Sequence, residues 1–405
     1  MRRLLGGLGA LSLLLVSAAA LAADPLASGA IEDKGTMLQR ARGKQALLLF
    51  EDAASGYEDF ARHYPADAEA PVALKDALIL RIGMGLLDQA TKDAELFLRS
   101  YGAKLPSESS VVMLGLATAY ADRSDFAVAK KILESSMSYI DRAAPLDKRL
   151  VAHALLGRCL LSLGDRKKAE AELDQVRALF KDPASAVKTF EGQGADMRRI
   201  GLALNAVGEA RYFFADQKRL AAEAIAFPNY AGKGDMEDVK KHLNTKVRDW
   251  IGKKRPAIEA AEKEYLTIVD IQPAPPPRWV IAAAARVGEM WAHFVSDFRA
   301  APVPKEWMSG GTVPGSKMTY AEVRKAYFEQ IDAASAPQRQ AAAGAYRTCF
   351  NYAVKFQYFD DNVTSCLGWL TRNEKAKFPR IDEIAPRWGF LGMPGLSTEP
   401  LPEPR

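Results

Sequence analysis

The sequence predicts an all-α protein: a solenoid of stacked helical pairs followed by a second helical domain. Three observations predict it. Short segments recur forty residues apart with small and apolar residues in fixed places, which is the signature of stacked helical units. Ser-Asp and Gly-Asp turns separate apolar runs of helix length. All six tryptophans (250, 279, 291, 307, 369 and 388) lie in the second half, a shift in composition that places a boundary after the repeats. The expected division is a leader at 1–22, a repeat array at 23–182, a C-terminal helical domain at 183–385 and a Pro-rich disordered tail at 386–405.

The leader opens with Arg2 and Arg3, runs apolar or small from Leu4 to Leu21, and offers a small-x-small cut at Ala20-Leu21-Ala22. That order is the pattern of a cleavable secretory signal. A run of this length just suffices to span a bilayer, but the small-residue end and polar Asp24 favour cleavage. No cysteine lies near the cut, so a lipoprotein is not expected, and the expected location is periplasmic. The roughly 380 residues that follow are too many for one compact core. The formal charge of +5, two of it in the leader, is too small to draw the whole protein to nucleic acid.

The repeat is clearest where "LGRCLLSLGDRKKAEAELDQV" (156–176) falls on "LATAYADRSDFAVAKKILESS" (116–136). Leu156 matches Leu116, Gly157 matches Ala117, Asp165 matches Asp125, Ala169 matches Ala129 and Leu173 matches Leu133. A small residue at 117 or 157 lets a second helix approach, and the small residue twelve positions on receives it. "GLLDQATKDAELFLRSYG" (85–102) repeats the second half, with Ala94 in the place of Ala129. This pattern resembles the tetratricopeptide repeat, although spacings of 35 and 40 exceed the usual 34. Upstream, Phe60, Tyr64 and Pro65 resemble the opening repeat of periplasmic envelope proteins in that superfamily. Pro65 stops a helix there. Four pairs over about 36–182 result.

After 182 the pattern fades. From Asp235 to Ile271 the chain reads as one long helix or two joined ones, with Val239, Leu243, Val247, Trp250 and Ile251 on one face. Lys240, Lys241, Lys246, Arg248, Lys253, Lys254 and Arg255 make this stretch basic. It is either a weak contact with anionic lipid headgroups or an acidic partner through 240–255, or a solvated face answered by Glu259, Glu262 and Glu264. "QPAPPPRW" (272–279) must be an extended elbow. Residues 301–317 form a long loop whose Trp307 either anchors a partner or tucks back onto the fold. Thr319 and Glu322 form a capping box, and helices follow near 341–356 and 363–372. Cys349 and Cys366 flank the turn "FQYFDDN": a disulfide and two buried thiols are both open. Cys159 reads as a small core residue.

"ALNAVGEARYFFADQKR", "FPNYAGKGDMEDVKKH", "PPPRWVIAAAARVGEMW" and "APVPKEW" resemble tetratricopeptide proteins of myxobacterial and related deltaproteobacterial envelopes, including components of the adventurous gliding motility apparatus. The resemblance implies a motility part and transfers no functional residue.

Catalytic patterns are missing. The four histidines (63, 153, 242 and 293) have no metal-ligand spacing, and no nucleophile elbow, phosphate loop or dinucleotide fingerprint occurs. No cofactor, no metal and no enzymatic activity are expected. Recognition remains, on the concave side that first helices line. Its expected residues are Leu114, Thr118 and Asp122 in one repeat and Arg158, Leu161 and Ser162 in the next, a groove for an extended peptide or helix. Charge reversal at Asp122 or Arg158 should then weaken partner capture without unfolding the chain. The expected role is a scaffold of an envelope machine. The alternatives are an assembly factor for outer-membrane or cell-division complexes, and an enzyme with an unfamiliar site in the tryptophan-rich half.

Overall fold

One local device recurs along the chain. A helix ends, the next residue takes a left-handed backbone, and the amide after it returns to a carbonyl five residues back. Residues with positive φ occupy this place at Leu48 (62°), Gly85 (84°), Ser124 (64°), Gly164 (84°), Gly194 (65°) and Gln357 (52°). The returning bonds include Leu86 N to Arg81 O at 2.8 Å, Asp125 N to Tyr120 O at 3.0 Å and Asp165 N to Leu160 O at 2.9 Å. This is the Schellman cap. In two of the turns an aspartate follows and caps the next helix: Asp125 accepts from Val128 N and Asp165 from Lys168 N, both at 3.2 Å.

A computed structural model describes residues 33–379. The expected leader and tail lie outside the described residues. The chain divides into two compact units, one ending at Leu86 and one beginning at Leu87. The first holds α1 (Lys34–Ala46), α2 (Phe50–His63) and α3 (Ala70–Met84). As the Tyr-Pro pair predicts, α2 stops at His63, with Tyr64 as its C-cap. The second unit opens with α4 (Leu87–Tyr101), α5 (Pro106–Asp122), α6 (Phe126–Ala143), α7 (Leu146–Ser162), α8 (Arg166–Leu179), α9 (Pro183–Gly192) and α10 (Met197–Glu223). It continues with α11 (Met236–His242), a π turn at Leu243–Val247, α12 (Arg248–Val269) and α13 (Pro277–Arg299). A 3₁₀ turn at Lys305–Met308 precedes α14 (Tyr320–Ala334), α15 (Ala336–Phe356) and α16 (Asp361–Asn373). No strand forms among the described residues, and the protein is all-α.

The small-residue register does what the spacing requires. Ala117, Ala129 and Ala169 are fully buried. A Cβ added to Gly157 would stand 2.9 Å from Leu173 Cγ and 3.5 Å from the Ala169 carbonyl, so α7 and α8 meet at backbone distance. The pairs α5–α6 and α7–α8 share one core containing Leu114, Leu133, Ile140, Leu155, Leu156 and Cys159.

The expected change of domain at 182/183 falls inside a second core, which runs from Leu150 on α7 to Leu370 on α16. The reason is α10, which lies along α7. Arg199 on α10 donates to Asp147 on α7 at 2.7 and 2.9 Å, and Arg158 on α7 donates to Glu209 on α10 at 2.6 and 2.9 Å. The two forked pairs are eleven and ten residues apart on their helices, so α7 and α10 run parallel and α10 continues the stack of first helices.

Beyond α10, aromatic rings take over the packing. Trp250 stacks on Phe294 with centroids 4.9 Å apart, and Tyr346 stacks on Trp369 at 4.8 Å. Gly288 admits the Tyr346 ring, which would lie 2.8 Å from an added Cβ. The long helix expected over 235–271 is interrupted only by the π turn and carries Pro256 inside α12. The Thr319–Glu322 capping box is present. Cys349 on α15 and Cys366 on α16 are joined as a disulfide, with Cα atoms 6.6 Å apart. Cys159 is a free, buried thiol.

Candidate protein-binding surface

The expected recognition face lies on α5 and α7, and tertiary packing divides its members. Asp122 and Ser162 are exposed at the C-terminal ends of the two helices. Thr118 is half-buried and its hydroxyl donates to the Leu114 carbonyl of its own helix at 2.8 Å. Leu161 is half-buried and packs against both cores of the second unit. Leu114 is only 5% exposed, inside the core shared by the two pairs, and offers nothing for docking. Periodicity put it on the open side because the helix has apolar residues on more than one face.

Arg158 reaches the surface, with 43% of its side chain exposed, and also serves the fold. It is held by the Glu209 fork, which raises its pKa above the ordinary guanidinium value, with Asp122 contributing a further favourable charge. Arg158 therefore ties α7 to α10, and reversing its charge would set two carboxylates against each other. Nothing in the local sequence signals Glu209, which is 51 residues away. Asp122, Arg158 and Glu209 nonetheless form one charged cluster beside Ser162. Trp307 sits apart from it, half-buried, edge-on to Tyr327 at 5.5 Å, while its carbonyl accepts from Arg324 at 3.0 Å.

His153 is buried on α7 between Glu172 of α8 (2.7 Å to Nδ1) and Asp141 of α6 (3.0 Å to Nε2). Burial works against the imidazolium, but the two hydrogen-bonded carboxylates outweigh it and raise the pKa. Spacing alone made this histidine look isolated. The structure makes it the polar joint of three helices.

The basic stretch is narrower than the sequence suggested. Lys254 is buried, donating to the carbonyls of Ala222 and Ile225 at 3.0 and 3.1 Å, and Arg255 pairs with Glu259 at 2.8 Å. Lys240, Lys241, Lys246, Arg248 and Lys253 stay exposed. The recess around Lys254 also holds Glu223, His293 and Asp297 and measures about 360 Å³. Burial lowers the Lys254 pKa, but its ammonium is committed to the frayed carbonyls at the end of α10, the ordinary duty of a lysine at a helix C-terminus. A second recess of about 280 Å³, between α12, α13 and α15, is apolar apart from Glu262 and Thr348. Glu262 accepts from Trp291 Nε1 at 3.0 Å. Among the described residues no group of three or more His, Cys, Asp or Glu side chains could hold a metal ion, and no helix is long and apolar enough to cross a membrane.

No family model matches the chain, and no curated protein matches it. Among solved structures it is similar to the P58(IPK) TPR domain, with 13% identity over 86% of this chain and 100% of that one, at a TM-score of 0.17. So loose a superposition decides nothing. The repeat of helical pairs rests on the chain's own α5–α8, where the small-residue register and the capped turns recur.

Proposed function

We propose that the protein is a non-enzymatic periplasmic adaptor that binds other envelope proteins within a multiprotein machine, with gliding motility as the setting. The single observation that carries the binding role is the stacking of α5, α7 and α10, which leaves Asp122 and Ser162 exposed beside the Arg158–Glu209 pair. Stacked helical pairs are a common frame for gripping an extended chain. The apolar leader from Leu4 to Leu21 supports export, and the likeness of the segments at 203–307 to gliding-apparatus components supports the setting.

Asp122→Asn is the test of the surface, because it removes an exposed charge without setting a second cation against Arg158, which pairs with Glu209. Cross-linked co-purification from the native envelope should lose at least one partner in the variant, with stability changed by less than about 0.5 kcal/mol. Retention of every partner at wild-type yield would sink the assignment.

A further inference from the structure

Where α11 passes into α12, an apolar recess lies against unanswered positive charge. The recess measures about 320 Å³, with the π turn and Ile251 on one side and Phe298, Tyr327 and Ile331 on the other. Asn244 and Arg248 also line it, and Lys240 stands one turn before Asn244; all three are exposed. From 240 to 255 the chain has seven lysines and arginines and one acid, Asp249. Lys254 is engaged by backbone carbonyls and Arg255 by Glu259. Among the described residues Lys240, Lys241, Lys246, Arg248 and Lys253 pair with no carboxylate. The acids of the facing wall are already paired, Asp332 with Arg299 and Arg339 at 3.2 and 3.5 Å and Glu329 with Lys325 at 3.9 Å. An apolar recess under a net positive rim is complementary to an apolar side chain with acids beside it.

One segment of that chemistry lies in this chain beyond the described residues: EPLPEP, 399–404. Glu399, Leu401 and Glu403 each precede a proline, which biases them to extended backbone. Alternate residues of extended backbone face one side, so Leu401 can enter a recess with a carboxylate before and after it. Glu399 and Glu403 are separated by four extended residues, about 12 Å. Lys240 and Arg248 are separated by eight helical residues, again about 12 Å. The reach fits as well. Phe378, next to the last described residue, packs edge-on against Phe350 of α15 at 5.8 Å. Phe350 is about 21 Å along α15 from Ala336, and Ala336 closely follows Ile331 of the recess. The residues between Phe378 and Glu399 span about 25 Å as a flexible linker, and tethering is most effective when linker and span agree.

We propose that residues 399–404 dock across this recess, with Leu401 entering it and Glu399 and Glu403 pairing with Lys240 and Arg248, so that the chain covers its own basic face. This goes beyond the adaptor role, which concerns α5 and α7, and either can fail without the other.

The full chain carries the test without a label. A water-soluble carbodiimide joins a lysine amine to a carboxylate where the two touch, and mass spectrometry of the digest identifies the pair. Glu399 or Glu403 should be joined to Lys240 at least about 5-fold more often than to Lys188, an exposed lysine on α9. Leu401→Asn should lower the Lys240 yield about 5-fold by removing the apolar anchor. Arg248→Gln should lower it about 3-fold by removing one exposed ion pair. The proposal is overturned by a Lys240 yield no greater than that at Lys188, or by variants that both stay within about 1.5-fold of the parent. It is also overturned if, in a mixture of isotopically labelled and unlabelled chains, the cross-links join two copies. That result would assign the recess to a second copy of the chain.

Discussion

Within the second unit, α5–α8 and the helices from α10 onward are held together by different means. The first region packs alanine, glycine and leucine at repeated positions, so each contact lies within one or two helices along the chain. The second packs Trp250 on Phe294 and Tyr346 on Trp369, and closes α15 to α16 by a disulfide. Close approach needs a small residue in both regions. Gly208 stands 51 residues after Gly157 and meets Pro276 Cγ and Trp279 Cδ1, each 2.6 Å from an added Cβ. Thus the stack persists through α10 while the chemistry that covers it changes.

Substitutions can separate the two means of packing. The largest effect is expected from Trp250→Ala, about 3–5 kcal/mol, read as a shift of the denaturant midpoint. A loss under about 1 kcal/mol would mean that the aromatic region does not depend on its rings. Removing the Cys349–Cys366 bond, which closes a span of 17 residues, should cost about 3 kcal/mol. Hydrogen exchange should place that loss on α15 and α16 and leave α5 and α6 protected. Ala169→Leu is expected to cost about 1–3 kcal/mol through overpacking against α7; a neutral result would break the repeat register.

The subtlest effect is a pH slope confined to the repeats. His153 has a folded pKa above its unfolded value, so its contribution is fully present below about pH 6.5 and is lost as pH rises through the folded value. The melting temperature of the wild type relative to His153→Gln should therefore fall as pH increases across that window. A difference that grows with pH would reverse the assignment.

The sequence was most legible where a residue's partner is nearby and its role is steric. Ala117, Gly157, Ala129 and Ala169 could be placed in helix contacts from spacing because backbone approach tolerates only small residues. Pro65 and the Thr319–Glu322 box marked helix ends because capping is local. The binding face was less legible. Spacing put Leu114 and Arg158 on the open side, since it locates a helical face but not what covers that face. Glu209, the residue that occupies Arg158, belongs to a helix beyond the point where the forty-residue period lapses.

By itself, then, the sequence determined the all-α class, the helical pairs, the capped turns and the small residues between them. These depend on backbone geometry and contacts within about forty residues. Only the tertiary structure decided that α10 joins the stack across 182/183, that Lys254 and Arg158 serve the fold, and that His153 joins three helices. Each of those depends on which distant group comes to lie against a side chain, and a local pattern of apolar and charged residues carries no record of that.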